Sequence, residues 1–169
     1  VSRMCCEPLL EYGPKALEDH RKGLCTYDVE QVVLAIVVTT GIASIFLTKD
    51  YTPDYNSGLA HAIFYAMTAY PVIEEKHLHG EVVGFGVLIA LLADQQYDEF
   101  EKIYRLNKAV RLPVSLGEIE ITEDQWEECM ERIPDMSDVA HYPYRVTKEM
   151  LVDAMNRLKE RVRKDNEEK

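Results

Sequence analysis

The chain carries five histidines, His20, His61, His77, His79 and His141. Three of them fall in one short window, between His61 and His79. Imidazole is a ligand for zinc, iron and nickel, and a catalytic zinc takes three protein donors and leaves one position open. His61 lies in the first turn of one sequence-predicted helix, and His79 opens the next. A helix, a turn at Pro71 and an antiparallel return would set the two imidazoles face to face, as ligands from different helices meet in a bundle core. The rings should then approach within about 3–6 Å, near enough for two bonds of about 2.1 Å to one ion. Spacing alone fits a pair of structural histidines as well. His77 reads as a surface loop residue, with a supporting role beside the site as the alternative. Glu81 sits where the helix dipole favours an acid. Its sharper reading is a carboxylate partner for the outer nitrogen of His79. His20 and His141 read as surface or capping residues.

The elements that must carry these residues read as helices. Apolar positions at helical spacing mark residues 3–12, and Gly13-Pro14 separates them from a helix at 15–22 that Gly23 ends. Thr26 or Asp28 caps a long apolar helix reaching about Leu47. Ser57 caps a helix over 58–70, stopped by Pro71, and residues 71–78 form a loop. Further helices follow at 80–94 and 97–110, then a linker at 113–121. Thr122 and Gln125 form a capping box for a helix to about Ile133. Thr147 caps the last helix. No strand alternation and no strand–helix–strand spacing occurs, so the expected fold is an all-α helical bundle, one domain over residues 1–169.

The apolar run at 32–47, VVLAIVVTTGIASIFL, is the longest in the chain. It is shorter than the roughly 20 residues a bilayer requires. It reads as a central helix buried on all sides rather than a membrane span.

Composition narrows the function. With 19 Lys+Arg against 30 Asp+Glu, the net charge is −11 at pH 7. Nucleic-acid affinity rests on basic side chains neutralising phosphates, so no nucleic-acid partner is expected. At 47% hydrophobic and 29% charged residues over 169 positions, the chain is that of an ordinary globular protein with a real core. Cys5, Cys6, Cys25 and Cys129 form no CxxC pair and read as buried free thiols in a reducing cytoplasm. No basic stretch leads into an apolar run at the start, so no signal peptide is expected.

The wording around the histidines is more specific than their spacing. The run GLAHAI begins at Gly58, and HGEVVGFG extends from His79 to Gly86. Together they resemble the glycerol dehydrogenase branch of the iron-containing alcohol dehydrogenase and dehydroquinate synthase-like superfamily. The likeness continues weakly through KAVRLPVS from Lys108 and PYRVTKEM from Pro143. It implies that His61 and His79 are two metal ligands, with His77 and Glu81 supporting. The implied cofactors are a divalent metal, Zn or Fe, and NAD(P), and the implied substrate is a small alcohol or polyol. A homo-oligomer in the cytoplasm, without a membrane partner, is expected.

The same resemblance marks what is missing. Family members place an NAD(P)-binding α/β domain before the helical domain, and this chain has no Gly-rich nucleotide loop. The third ligand is an aspartate on a Gly-Asp-containing helix at the start of the helical domain, and no Gly-Asp pair occurs here. Other branches carry HxxxH in the first helix, where Ser57 precedes His61 here. Glycerol dehydrogenases commonly have a second histidine three residues after the first, where Phe64 stands. The expectation is therefore a fragment with metal ligands but no catalytic residue beyond them and no cofactor-binding residue. It should be inactive alone. The alternative is a non-enzymatic or degenerate helical module that self-associates.

Overall fold

The computed structural model describes residues 2–47 and 57–167. Among these residues the fold is all-α, with no strand. Where one domain is expected over 1–169, the chain forms two compact units, Val1–Asn56 and Ser57–Lys169.

In the first unit, α1 (Ser2–Arg21) runs straight through Pro8 and Pro14. The expected break at Gly13-Pro14 does not occur. A proline inside a helix removes one donor and crowds the carbonyl four residues back, a cost of about 3 kcal/mol. Packing along the following helices offsets it: α1 lies against α2 (Tyr27–Leu34) and the π-helical segment Ala35–Thr40. Tyr12 meets Tyr27 edge-on, with ring centroids 5.8 Å apart. Gly23 ends α1 as expected, with φ at 71°. Its N–H donates to the His20 carbonyl at 2.9 Å, and the Leu24 N–H donates to the Asp19 carbonyl at 3.0 Å. The buried Asp19 carboxylate accepts from the Thr26 hydroxyl at 2.9 Å, which ties the turn to the helix.

The long apolar helix departs from expectation in two ways. It changes pitch within its β-branched run, passing through the π segment before α3 (Gly41–Leu47). The Thr40 hydroxyl donates to the Ala35 carbonyl at 2.9 Å across this wider turn. It is also not a buried core helix. Val33, Leu34, Ile36, Val37, Val38, Ile42, Ile45 and Phe46 are all exposed. Among the described residues of its unit, this helix packs against α1. Tyr27–Phe46 spans 20 residues at a mean hydropathy of 2.0 with 11% of its window buried, which by length and composition suffices to cross a membrane.

The second unit holds α4 (Leu59–Met67), α5 (Pro71–Lys76), α6 (His79–Ala93), α7 (Tyr97–Val110), α8 (Glu123–Arg132) and α9 (Lys148–Glu167). The central helix is α6. It packs against α4, α7 and α9, and buries Val82, Phe85, Gly86, Leu88, Ile89, Leu92 and Ala93. These positions form one broad buried side, and Val83, Val87, Ala90 and Leu91 on the other side are half-buried. Phe85 meets Trp126 of α8 edge-on at 6.5 Å. Pro71 does not end a helix before a loop. It takes the first position of α5, where its missing N–H is an orphan in any case. The Thr122–Gln125 capping box forms as expected, with bonds of 2.9 and 3.2 Å. The Thr147 hydroxyl accepts from the Met150 N–H at 3.4 Å at the start of α9.

Candidate metal centre

His61 and His79 meet. His61 lies in the first turn of α4 and His79 is the first residue of α6. Their ring centroids stand 5.5 Å apart with the planes inclined by 42°, within the separation the sequence implies. Close helix packing makes this possible. A Cβ added to Gly86 of α6 would lie 2.6 Å from the Ala60 carbonyl oxygen, so the backbones of α4 and α6 approach as only glycine permits. That contact falls next to His61.

The first turn of α4 is held in an unexpected way. Its cap is Gly58 rather than Ser57, and Gly58 offers no side-chain acceptor. The hydroxyl of Tyr142 accepts from the Leu59 N–H at 3.2 Å instead. The Gly58 carbonyl accepts from the His61 and Ala62 N–H groups, both at 2.9 Å. At the start of α6, the Glu81 carboxylate accepts from the Leu78 N–H at 2.9 Å. Its other neighbour is His77, with Nδ1 3.7 Å from Oε2. Glu81 therefore caps α6 and faces His77, and the expected partnership with His79 does not form.

Aromatic rings flank the pair. Phe64 stands edge-on to His79 at 4.4 Å, and Tyr65 lies 6.4 Å from His61. Burial pushes the His61 pKa below the usual histidine value, the charge of His79 pushes it the same way, and Asp138 partly opposes both. The cause is physical: a half-buried imidazole beside a second imidazole resists a proton. A neutral imidazole keeps a lone pair free, which a metal ligand requires.

His77 is not a surface residue. Its side chain is only 10% exposed, and its backbone N–H donates to the Ile73 carbonyl at 3.2 Å as the end of α5. Its Nε2 is buried without a hydrogen-bond partner. His20 and His141 are exposed, as expected. None of the four cysteines forms a disulfide; Cys129 is buried, Cys5 and Cys6 are half-buried, and Cys25 is exposed.

Two imidazoles supply two donors of the right chemistry for one ion. Among the described residues no group of three or more His, Cys, Asp or Glu side chains is placed to hold a metal. The pair supplies two donors, and among the described residues no third joins it.

Three contributors were not legible beforehand. Gly86 stood inside a recognisable run, but only the helix crossing shows why it must be glycine. Asp138 and Tyr142 lie on and after the short turn Ser137–Val139, which packs against α4. No local pattern links that turn to His61, because the connection is purely tertiary.

No family model matches the chain. Over 129 residues, or 73% of the chain, it is 34% identical to the glycerol dehydrogenase of Pseudomonas putida. It is 32% identical to that of Thermotoga maritima over 150 residues, 83% of the chain. A glycolaldehyde reductase of Halobacterium salinarum is 27% identical over 165 residues. The chain spans about a third of the length of the curated relatives it matches: 32% of the first and 37% of the second. Its fold is shared with a probable glycerol dehydrogenase from Sinorhizobium meliloti 1021, at a TM-score of 0.77 and 24% identity over 96% of this chain and 44% of that one. The glycerol dehydrogenase of Schizosaccharomyces pombe matches at a TM-score of 0.76 over 98% of this chain and 41% of its own.

Proposed function

We propose that this chain, which belongs to the glycerol dehydrogenase family, is the metal-binding portion of an NAD(P)-dependent polyol or alcohol oxidoreductase. The observation that carries this reading is the approach of His61 and His79 to 5.5 Å from two different helices. In this reading both side chains are ligands and neither is a base. His61 and His79 would hold a divalent zinc or iron ion, which would supply Lewis-acid chemistry toward an alcohol oxygen, with a nicotinamide as the hydride acceptor. The chain's own residues place the two imidazoles, keep His61 neutral and wall the site with Phe64 and Tyr65. Among the described residues no third donor joins the pair. The four cysteines, none of them in a disulfide, support placing the protein in a reducing cytoplasm.

Hydride transfer requires oxygen, metal and nicotinamide in one geometry, and a misplacement of about 1 Å can cost a hundredfold. The chain alone should therefore turn over no alcohol with NAD or NADP, with or without zinc. A hybrid tests the reading: residues 57–169 replace the corresponding segment of a full-length glycerol dehydrogenase. Activity should return, and His61→Ala or His79→Ala should abolish metal content and activity together, while a His141→Ala hybrid stays active. A metal-replete, active hybrid lacking either imidazole would refute it.

A second reading, a non-enzymatic module that self-associates, draws on the Tyr27–Phe46 helix, which exposes its apolar side chains. Metal content of the hybrid separates the two readings.

A further inference from the structure

We propose that Tyr142 is a positioning residue for His61. The inference rests on the metal-site reading above for its functional meaning, but its structural content stands apart from it.

α4 begins with a structural deficit. The first N–H groups of a helix have no partner within it, and a side-chain oxygen at the cap normally supplies one. Gly58 has no side chain, and no side-chain bond forms at that cap. The missing acceptor comes from a residue 83 positions away in sequence, Tyr142, whose hydroxyl receives the Leu59 N–H at 3.2 Å. The same ring covers Gly58: a Cβ there would lie 3.4 Å from both Cε2 and the hydroxyl oxygen of Tyr142. Tyr142 is itself fixed. Its N–H donates to the Val139 carbonyl at 3.2 Å, its ring meets Tyr144 edge-on at 5.6 Å, and it packs against the core. A rigid, remote hydroxyl thus pins the turn that presents His61.

The same turn is also held by the Gly86–Ala60 approach. With both restraints the first turn of α4 has one position relative to α6, and so the His61 imidazole has one position relative to His79. Without the hydroxyl, one restraint remains, and the turn can rotate or fray away from α6.

The test uses the full 169-residue chain with labelled histidines and reads the nuclear Overhauser cross-peak between the His61 and His79 ring protons. Tyr142→Phe, which keeps the ring and removes the hydroxyl, should weaken that cross-peak at least threefold. Thr122→Ala removes the cap of α8 and serves as the comparison. It should lower stability while leaving the cross-peak unchanged. An unchanged cross-peak in Tyr142→Phe overturns the proposal, as does an equal loss in Thr122→Ala, which would report general loosening. Hydrogen exchange of the wild-type chain decides the matter even if the variant does not fold. The Leu59 amide should be protected well above an unbonded helix-start amide, and free exchange there overturns the proposal. Titration of the metal-free hybrid dehydrogenase with Co(II), followed by visible absorption, separates the two readings. A wild-type chain that shows the cross-peak, with a hybrid that develops no cobalt–imidazole band, refutes the metal reading and leaves Tyr142 as the residue that positions His61.

Discussion

Gly86 and Ala60 come so close that a single methyl group has no room between them: a Cβ on Gly86 would lie 2.6 Å from the Ala60 carbonyl oxygen and 3.0 Å from its Cα. The obstacle is backbone, which cannot rotate aside as a side chain can. Gly86→Ala should push α4 from α6 and destabilise the chain by about 1–3 kcal/mol, the usual cost of overpacking. Urea denaturation measures this. Gly80, in the first turn of the same helix, has nothing within 4 Å of its would-be Cβ. Gly80→Ala should be neutral or stabilising, by up to about 1 kcal/mol, because alanine is the better helix former. Equal effects at the two glycines would refute the close-approach argument.

The depressed pKa of His61 makes stability depend on pH. The folded chain holds His61 neutral at a pH where the unfolded chain would already protonate it. The unfolded state therefore binds more protons, and stability rises with pH through this range. The contribution is fully present above the unfolded value of about 6.5 and is lost as pH falls toward the lower folded value. His61→Gln should flatten the stability profile in that window. A profile as steep as the wild type would assign the dependence elsewhere.

The exposed side chains of the Tyr27–Phe46 helix should drive association. Contiguous apolar surface of more than a few hundred Å² is unusual on a monomer. Val37 and Ile45 are 67% and 71% exposed, so neither contributes much to packing within the chain. The double substitution Val37→Glu, Ile45→Glu should shift sedimentation toward a 19.4 kDa monomer with little change in melting temperature. A wild-type chain that already sediments as a monomer at high concentration would remove the premise.

Arg132 ties α8 to the end of α4. One of its guanidinium nitrogens donates to the Ala66 carbonyl at 3.0 Å, and Nε donates to the Glu128 carbonyl at 3.2 Å. The Ala66 carbonyl sits near the C-terminal end of α4, where such groups lack helical partners. Arg132→Met, which retains most of the apolar stem, should cost about 1–2 kcal/mol in chemical denaturation. An effect below about 0.3 kcal/mol would show that the bond adds nothing beyond packing.

Local chemistry determined much of this protein from the sequence. α7 follows from amphipathic spacing, the start of α8 from its Thr122–Gln125 box, the end of α1 from Gly23, and the likeness of the His61 and His79 runs to glycerol dehydrogenases from their residues in order. Each depends on neighbours within a few positions. The failures share the opposite property. The 32–47 run and α6 are both strongly apolar, and composition does not say which is central. α6 is buried because α4, α7 and α9 pack against it, whereas the other helix has α1 beside it among the described residues of its unit. Pro14 looked like a break and Pro71 like a stop, but packing carries α1 through the first and the second opens α5. Glu81 was matched to the histidine two residues away, yet its position on the helix aims it at Leu78 and His77. The cap of α4 was expected at Ser57 and came from Tyr142, because the fold brought a hydroxyl to the amide where the sequence offered only glycine. Such contacts depend on how distant segments cross, and that is decided only when the whole core closes.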